Sequence, residues 1–114
     1  MMSTLATGPV GGVTKNPVSL GDPNASGQIK VVANHPEYHT KWCVYQTSSS
    51  GVTRRLALEP LQSENPPVNP VTIDTEGRWY VLLEADSGVS FYQGSNPVGV
   101  DVRKNVKTKI KVTY

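Results

Sequence analysis

His35, His39 and Cys43 follow one another at intervals of four, in a chain that holds two histidines and one cysteine. Imidazole nitrogen and thiolate sulfur are ligands that suit zinc, and a thiol beside an imidazole can become a nucleophile. On a helix the three would line one face, but Pro36 and the β-like pattern around it oppose a helix there. On a strand they would share a side, yet three ligands need a fourth, and Glu37 is the only nearby candidate. Cys43 alternates with Trp42 and Val44, the setting of a buried and inert thiol. The expectation is loop histidines and a structural cysteine, with no metal and no cofactor.

The acids do not form a catalytic set either. Glu37, Glu59, Glu64, Asp74, Glu76, Glu84, Asp86 and Asp101 are scattered, mostly where turns are expected, and acids favour turns for backbone reasons. No two of them are spaced as an evident pair for glycoside chemistry. No nucleophile elbow, phosphate-binding loop or dinucleotide fingerprint is present. An enzyme is not expected, and what remains of that reading rests on His39 and Cys43.

Cations cluster more clearly. "RKNVKTKIK" holds Arg103, Lys104, Lys107, Lys109 and Lys111, five of the eleven Lys and Arg residues. Together with Arg54 and Arg55 they could form a stripe for phosphate contact. Lysines on the outer face of a terminal strand also keep an edge from pairing with another chain, and that is the preferred reading. No aromatic residue interleaves them to stack a base, and a net charge of +2 is slight. Nucleic acid is therefore not expected, and an acidic protein is the nearer alternative partner.

The elements that carry these residues are short and alternating. "QIKVVAN", "KWCVYQT", "RRLALEPL", "PVTIDT", "RWYVLLEA", "GVSFYQG", "VGVDVRK" and "KTKIKVTY" make eight runs at the spacing of a sandwich or barrel. The last sets Thr108, Ile110, Val112 and Tyr114 opposite Lys109, Lys111 and Thr113. In "RWYVLLEA" the inward side is expected to be that of Trp79, Val81, Leu83 and Ala85, because Tyr80, Leu82 and Glu84 end in a charge. "SSSG", "DTEG", "DSG" and "QGSN" supply turn residues between runs. Asn-Pro-Val occurs at residues 16, 69 and 96, and because proline cannot donate to a ladder each is expected to start a strand. "ENPPVNP" is a stiff loop expected to cross between sheets.

Length and composition agree with one all-β domain. The chain has 114 residues, 37% hydrophobic and 18% charged, with ten Gly and nine Pro. One cysteine cannot form an internal disulfide. Residues 1–27 are so punctuated by Gly and Pro that no period survives, and they read as an extended N-terminal arm before a sandwich at 28–114. The arm is either a tail or a docking segment whose apolar teeth are Val10, Val13, Val18 and Leu20. The start "MMSTLATGPVGG" has no basic or apolar segment of signal-peptide type, and no run nears the about 18 apolar residues of a membrane span. The expectation is a product made in the cytoplasm, with no membrane partner.

"IDTEGRWYVLLEADSGVS" resembles the penultimate strand and following turn of bacterial and phage immunoglobulin-like domains. Asp74 and Gly77 stand at the first turn, Trp79 or Tyr80 at the aromatic position, and Asp86 with Gly88 at the closing turn. The likeness covers about eighteen residues, lacks the cysteine pair of antibody domains, and fits a jelly roll as well. It implies an antiparallel β-sandwich, immunoglobulin-like or jelly roll. With the arm and the lack of an export signal, the expected function is that of a non-enzymatic virion structural protein. The specific expectation is a phage capsid decoration (cement) protein that binds the major capsid protein or another virion protein and forms homo-oligomers. The alternative is a carbohydrate- or protein-binding adhesion module of a phage tail or cell surface, with Tyr38, Tyr45, Phe91 and Tyr92 as a stacking platform.

Overall fold

The computed structural model describes residues 8–48, 50–51, 53–56, 60–65 and 68–114. They form strands β1 (Val10–Ser19), β2 (Gly27–Ala33), β3 (His39–Thr47), β4 (Thr53–Leu56), β5 (Val71–Ile73), β6 (Gly77–Ala85), β7 (Ser90–Phe91), β8 (Val98–Val102) and β9 (Val106–Thr113). A single 3-10 turn, Pro36–Tyr38, is the only helical element among the described residues. Two sheets pack face to face, one ordered β5-β2-β9-β1-β7 and the other β4-β3-β6-β8. The protein is an all-β sandwich, as the alternation predicts. Leu58 and Glu59 of "RRLALEPL" and Pro66 and Pro67 of the stiff loop lie outside the described residues. The chain does pass from β4 of one sheet to β5 of the other, but Gln62 already bridges Val32 of the five-stranded sheet, so the passage comes before "ENPPVNP" and not within it.

Period-two burial explains the core. Ile29 and Val31 of β2, Ile110 and Val112 of β9, Trp42 and Val44 of β3, and Trp79, Val81 and Leu83 of β6 are all at most 5% exposed. Val98, Val100 and Val102 close the same interior from β8. Trp79 does point inward, and its indole N–H donates to the Thr75 carbonyl at 2.9 Å, so the one polar atom of that ring is satisfied.

The segment expected as an arm is divided. Residues 1–7 lie outside the described residues, whereas Val10–Ser19 is a strand of the sandwich, paired with β9 from Gly12 to Ser19. Its Gly and Pro residues do not break the strand because each occupies a place that suits it. A Cβ at Gly11 would lie 2.7 Å from the Tyr114 ring, so glycine there admits the aromatic. Pro17 is explained by the direction of the backbone groups. The carbonyls of Pro9 and Gly11 accept from β7-side amides of Ser90 and Tyr92, while the Leu20 amide donates to Asn105 on the opposite, β9 side. Backbone groups alternate sides along a strand, so odd-numbered residues of β1 face away from β9. The amide that Pro17 lacks would have faced that open side, and no ladder bond is lost. Asn-Pro-Val thus precedes β5 and β8 as expected, but at residue 16 it lies within a strand.

Both pairs of the four-stranded sheet that flank β3, and the β6–β8 pair, are antiparallel, but the five-stranded sheet is mixed. β2 pairs with β9 in parallel, and so does β1 with β7. The reason is simple. β1 and β2 run in opposite directions on either side of β9, so β9 must be parallel to one of them. The 20–26 connection between them is held by Asn105, whose amide donates to the Ala25 carbonyl, whose carbonyl accepts from Leu20 and whose side chain accepts from Asp22. Asn105 adopts φ 67°, a left-handed conformation that asparagine tolerates.

Candidate binding surfaces

The first surface is the outer edge of β1. β7 covers only Val10 and Gly11, so from Val13 to Ser19 that edge has no strand partner among the described residues. Of the four apolar teeth, Val10 and Val18 are 38% and 40% exposed, Leu20 is half-buried, and Val13 packs on the core. Lys15, opposite Ile110 in register, turns inward and donates from Nζ to the Gly99 carbonyl of β8 at 2.8 Å. An inward lysine and a proline on one edge are both devices that limit uncontrolled strand pairing. Beside them a cavity of ≈ 280 Å³ opens between the sheets, lined by Lys15, Pro17, Val100, Asp101, Arg103 and Thr108 among others.

The second surface is the outward face of the five-stranded sheet. β9 is the central strand, hydrogen-bonded to β1 and β2, so its lysines do not guard an edge as expected. The buried positions are Thr108, Ile110 and Val112, which leaves Lys107, Lys109 and Lys111 on the outer face. Lys30 of β2 joins them, directly opposite Lys109. Glu64 reaches over from the 60–65 segment to pair with Lys109 and, at 3.5 Å, with Lys111. The five cations singled out in sequence therefore separate: Arg103 lines the inter-sheet cavity and Lys104 sits exposed in the β8–β9 turn. Arg54 and Arg55 belong to β4 in the other sheet, so the stripe they might have completed does not form.

The third surface is the outward face of the four-stranded sheet. Tyr45 and Tyr80 stand opposite each other in register with ring centroids 5.5 Å apart and planes 26° apart. The Arg78 guanidinium lies 5.9 Å from the centre of the Tyr80 ring and 3.0 Å from Asp101, and the hydrogen bond to Asp101 raises its already high pKa. It also covers Gly99, where a Cβ would come within 2.4 Å of the guanidinium.

The fourth group is a cluster at the end of the sandwich where the chain finishes. Tyr114 is tied to Asn34 by two hydrogen bonds, and its ring meets those of Tyr38, His39 and Phe91. His35 stacks on Tyr38 at 4.8 Å. Its Nδ1 contacts Glu37 at 2.8 Å, and that hydrogen bond holds the Glu37 carboxyl below its usual range. The His39 Nε2 and the Tyr114 hydroxyl are 3.0 Å apart, while His39 Nδ1 is buried with no partner. Burial lowers the pKa of His39, against the opposing pull of Asp86 and Glu37, and pushes Tyr114 up to about 12.

His39 and Cys43 do not meet. Two residues of β3 oppose one of β6 between His39 and Lys41, a bulge that shifts the strand by one position. His39 therefore faces the Tyr114 cluster, whereas Cys43 faces outward opposite Leu82 and is covered there, 4% exposed. Among the described residues no group of three or more His, Cys, Asp and Glu side chains is placed to hold a metal. The expected stacking platform is split as well: Tyr45 belongs to the third surface, Tyr38 and Phe91 to the end cluster, and Tyr92 is 65% exposed. Sequence reading missed Lys15, Lys30, Tyr80 and Tyr114 as surface-defining residues. Their alternation was visible, but the neighbours that give each its role lie on other strands.

No family model matches the chain, and neither the curated proteins nor the solved structures hold a significant match to it.

Proposed function

We propose that this chain is a non-enzymatic virion structural protein, a capsid decoration protein that attaches to a shell protein through β1 and its neighbouring surface. The observation that carries the attachment is the unpaired β1 edge from Val13 to Ser19, with Val10 and Val18 exposed at either end. An extended segment of a partner could add to this edge, gaining main-chain hydrogen bonds on the side the odd-numbered residues face. The virion assignment itself comes from the likeness of "IDTEGRWYVLLEADSGVS" to phage and bacterial sandwich domains.

The structure changes how this is tested. Deleting residues 1–27 would remove β1 from the sheet and unfold the sandwich, so the double variant Val10→Asp/Val18→Asp is preferable. Wild-type protein should co-sediment with shells assembled without it, and the variant should not, while both give the same far-ultraviolet spectrum. Absence of wild-type binding, or equal binding by the variant, would overturn the proposal.

The Tyr45–Tyr80 pair beside Arg78 favours a second reading, an adhesion module that stacks a sugar ring on its four-stranded sheet. Glycan-array binding abolished by Tyr80→Ala but indifferent to Val18→Asp would favour it.

A further inference from the structure

The outer face of the five-stranded sheet presents an energetic anomaly. Lys30 and Lys109 are directly opposite on adjacent strands, and Lys107 and Lys111 flank Lys109 on the same face. Like charges directly across a ladder destabilise a sheet, and central strands need no charge to guard an edge. Successive lysines of β9 on this face are about 6.6 Å apart, the two-residue repeat of a strand. Their strand neighbours on the same face are neutral: Gln28, Val32, Thr14, Asn16 and Val18.

Glu64 shows how this face takes a carboxylate. Its two oxygens bridge Lys109 and Lys111, one to each. Among the described residues it is the only acid paired with these lysines, and no ion pair engages Lys30 or Lys107. Two ammonium groups thus remain without a counter-charge beside a site already occupied in the mode they would use.

We propose that this face, through Lys30 and Lys107, binds an acidic segment of another protein, extending along β9 the bridging contact that Glu64 makes with Lys109 and Lys111. An acidic protein fits better than nucleic acid because no aromatic ring lies among these positions to stack a base, whereas Lys30 and Lys107, diagonal neighbours on adjacent strands, lie within reach of carboxylates carried on one extended segment. The inference does not depend on the partner being a shell protein; its surface adjoins the β1 edge, with Val18 directly opposite Lys107, and its test leaves Val10 and Val18 unchanged.

Fluorescence anisotropy of labelled poly-L-glutamate, with a 20-base-pair DNA duplex of mixed sequence as the competing probe, tests it on the full chain. Wild-type protein should bind polyglutamate at low salt and lose it as salt rises. Lys30→Gln/Lys107→Gln should weaken that binding about tenfold. Its thermal midpoint should equal or exceed the wild-type value, since a repulsion is relieved. Glu64→Gln should tighten binding by freeing two lysines. No polyglutamate binding, equal affinity in the double variant, or weaker binding by Glu64→Gln would each overturn the proposal. Tighter binding of the duplex than of polyglutamate would overturn the assignment to an acidic protein.

Discussion

Asn96 performs a task usually given to backbone. Its side-chain oxygen accepts from the Leu83 amide at 2.9 Å and its amide nitrogen donates to the Leu83 carbonyl at 2.7 Å. β8 begins at Val98, opposite Val81, so the side chain continues the β6–β8 ladder for one further pair where Pro97 follows. Asn96→Ala would leave both Leu83 groups without a partner, beside a side chain that is 2% exposed. Each buried backbone group left unsatisfied costs about 1–3 kcal/mol, and partial access of water to this part-buried site reduces the sum. The expected loss is about 2–4 kcal/mol, a large share of the roughly 5–15 kcal/mol that holds a domain of this size together. Urea unfolding followed by tryptophan fluorescence should show a lower midpoint with an unchanged m-value. Hydrogen exchange should show the Leu83 amide losing protection ahead of Val81 on the same strand. A loss under about 0.5 kcal/mol, or an unaltered Leu83 exchange rate, would refute the claim that the side chain acts as a ladder residue.

Three further outcomes are expected. The folded-state pKa of His39 lies below its ordinary value of 6.5, so the unfolded chain takes the proton more readily; the stability contributed is complete above about pH 6.5 and is lost as pH falls below it. Thermal melts between pH 5 and 8 should show this slope, and His39→Phe should flatten it; an equal slope in that variant would point to another group. Gly27→Ala should destabilise markedly, because its Cβ would lie 2.6 Å from a Val102 methyl and 2.8 Å from the Arg103 carbonyl, whereas Gly99→Ala meets only the movable end of Arg78. Thermal midpoints of the two variants should therefore differ in that order, and the reverse order would contradict the packing described. Trp79→Phe removes the bond to Thr75 and part of a side chain that is 1% exposed, for an expected loss of about 2–4 kcal/mol by chemical denaturation.

The sequence determined which residues face inward. Alternation, with the charge of Glu84 deciding between the two faces, assigned Trp79, Val81 and Leu83 to the interior; alternation also set Lys107, Lys109 and Lys111 outside and placed strands on eight of the nine segments that form them. A two-residue period is local, fixed by the pleat of one strand, and so it can be read from one strand. Only the tertiary structure decided which strands are neighbours. It made β9 central, which turned an expected edge defence into a continuous basic face, and it drew Val10–Ser19 into the sheet despite its Gly and Pro. It also set one extra residue between His39 and Lys41, sending His39 and Cys43 to opposite faces. Strand order, an open edge for a proline and a bulge all depend on hydrogen bonds between residues far apart in the chain, which no local pattern encodes.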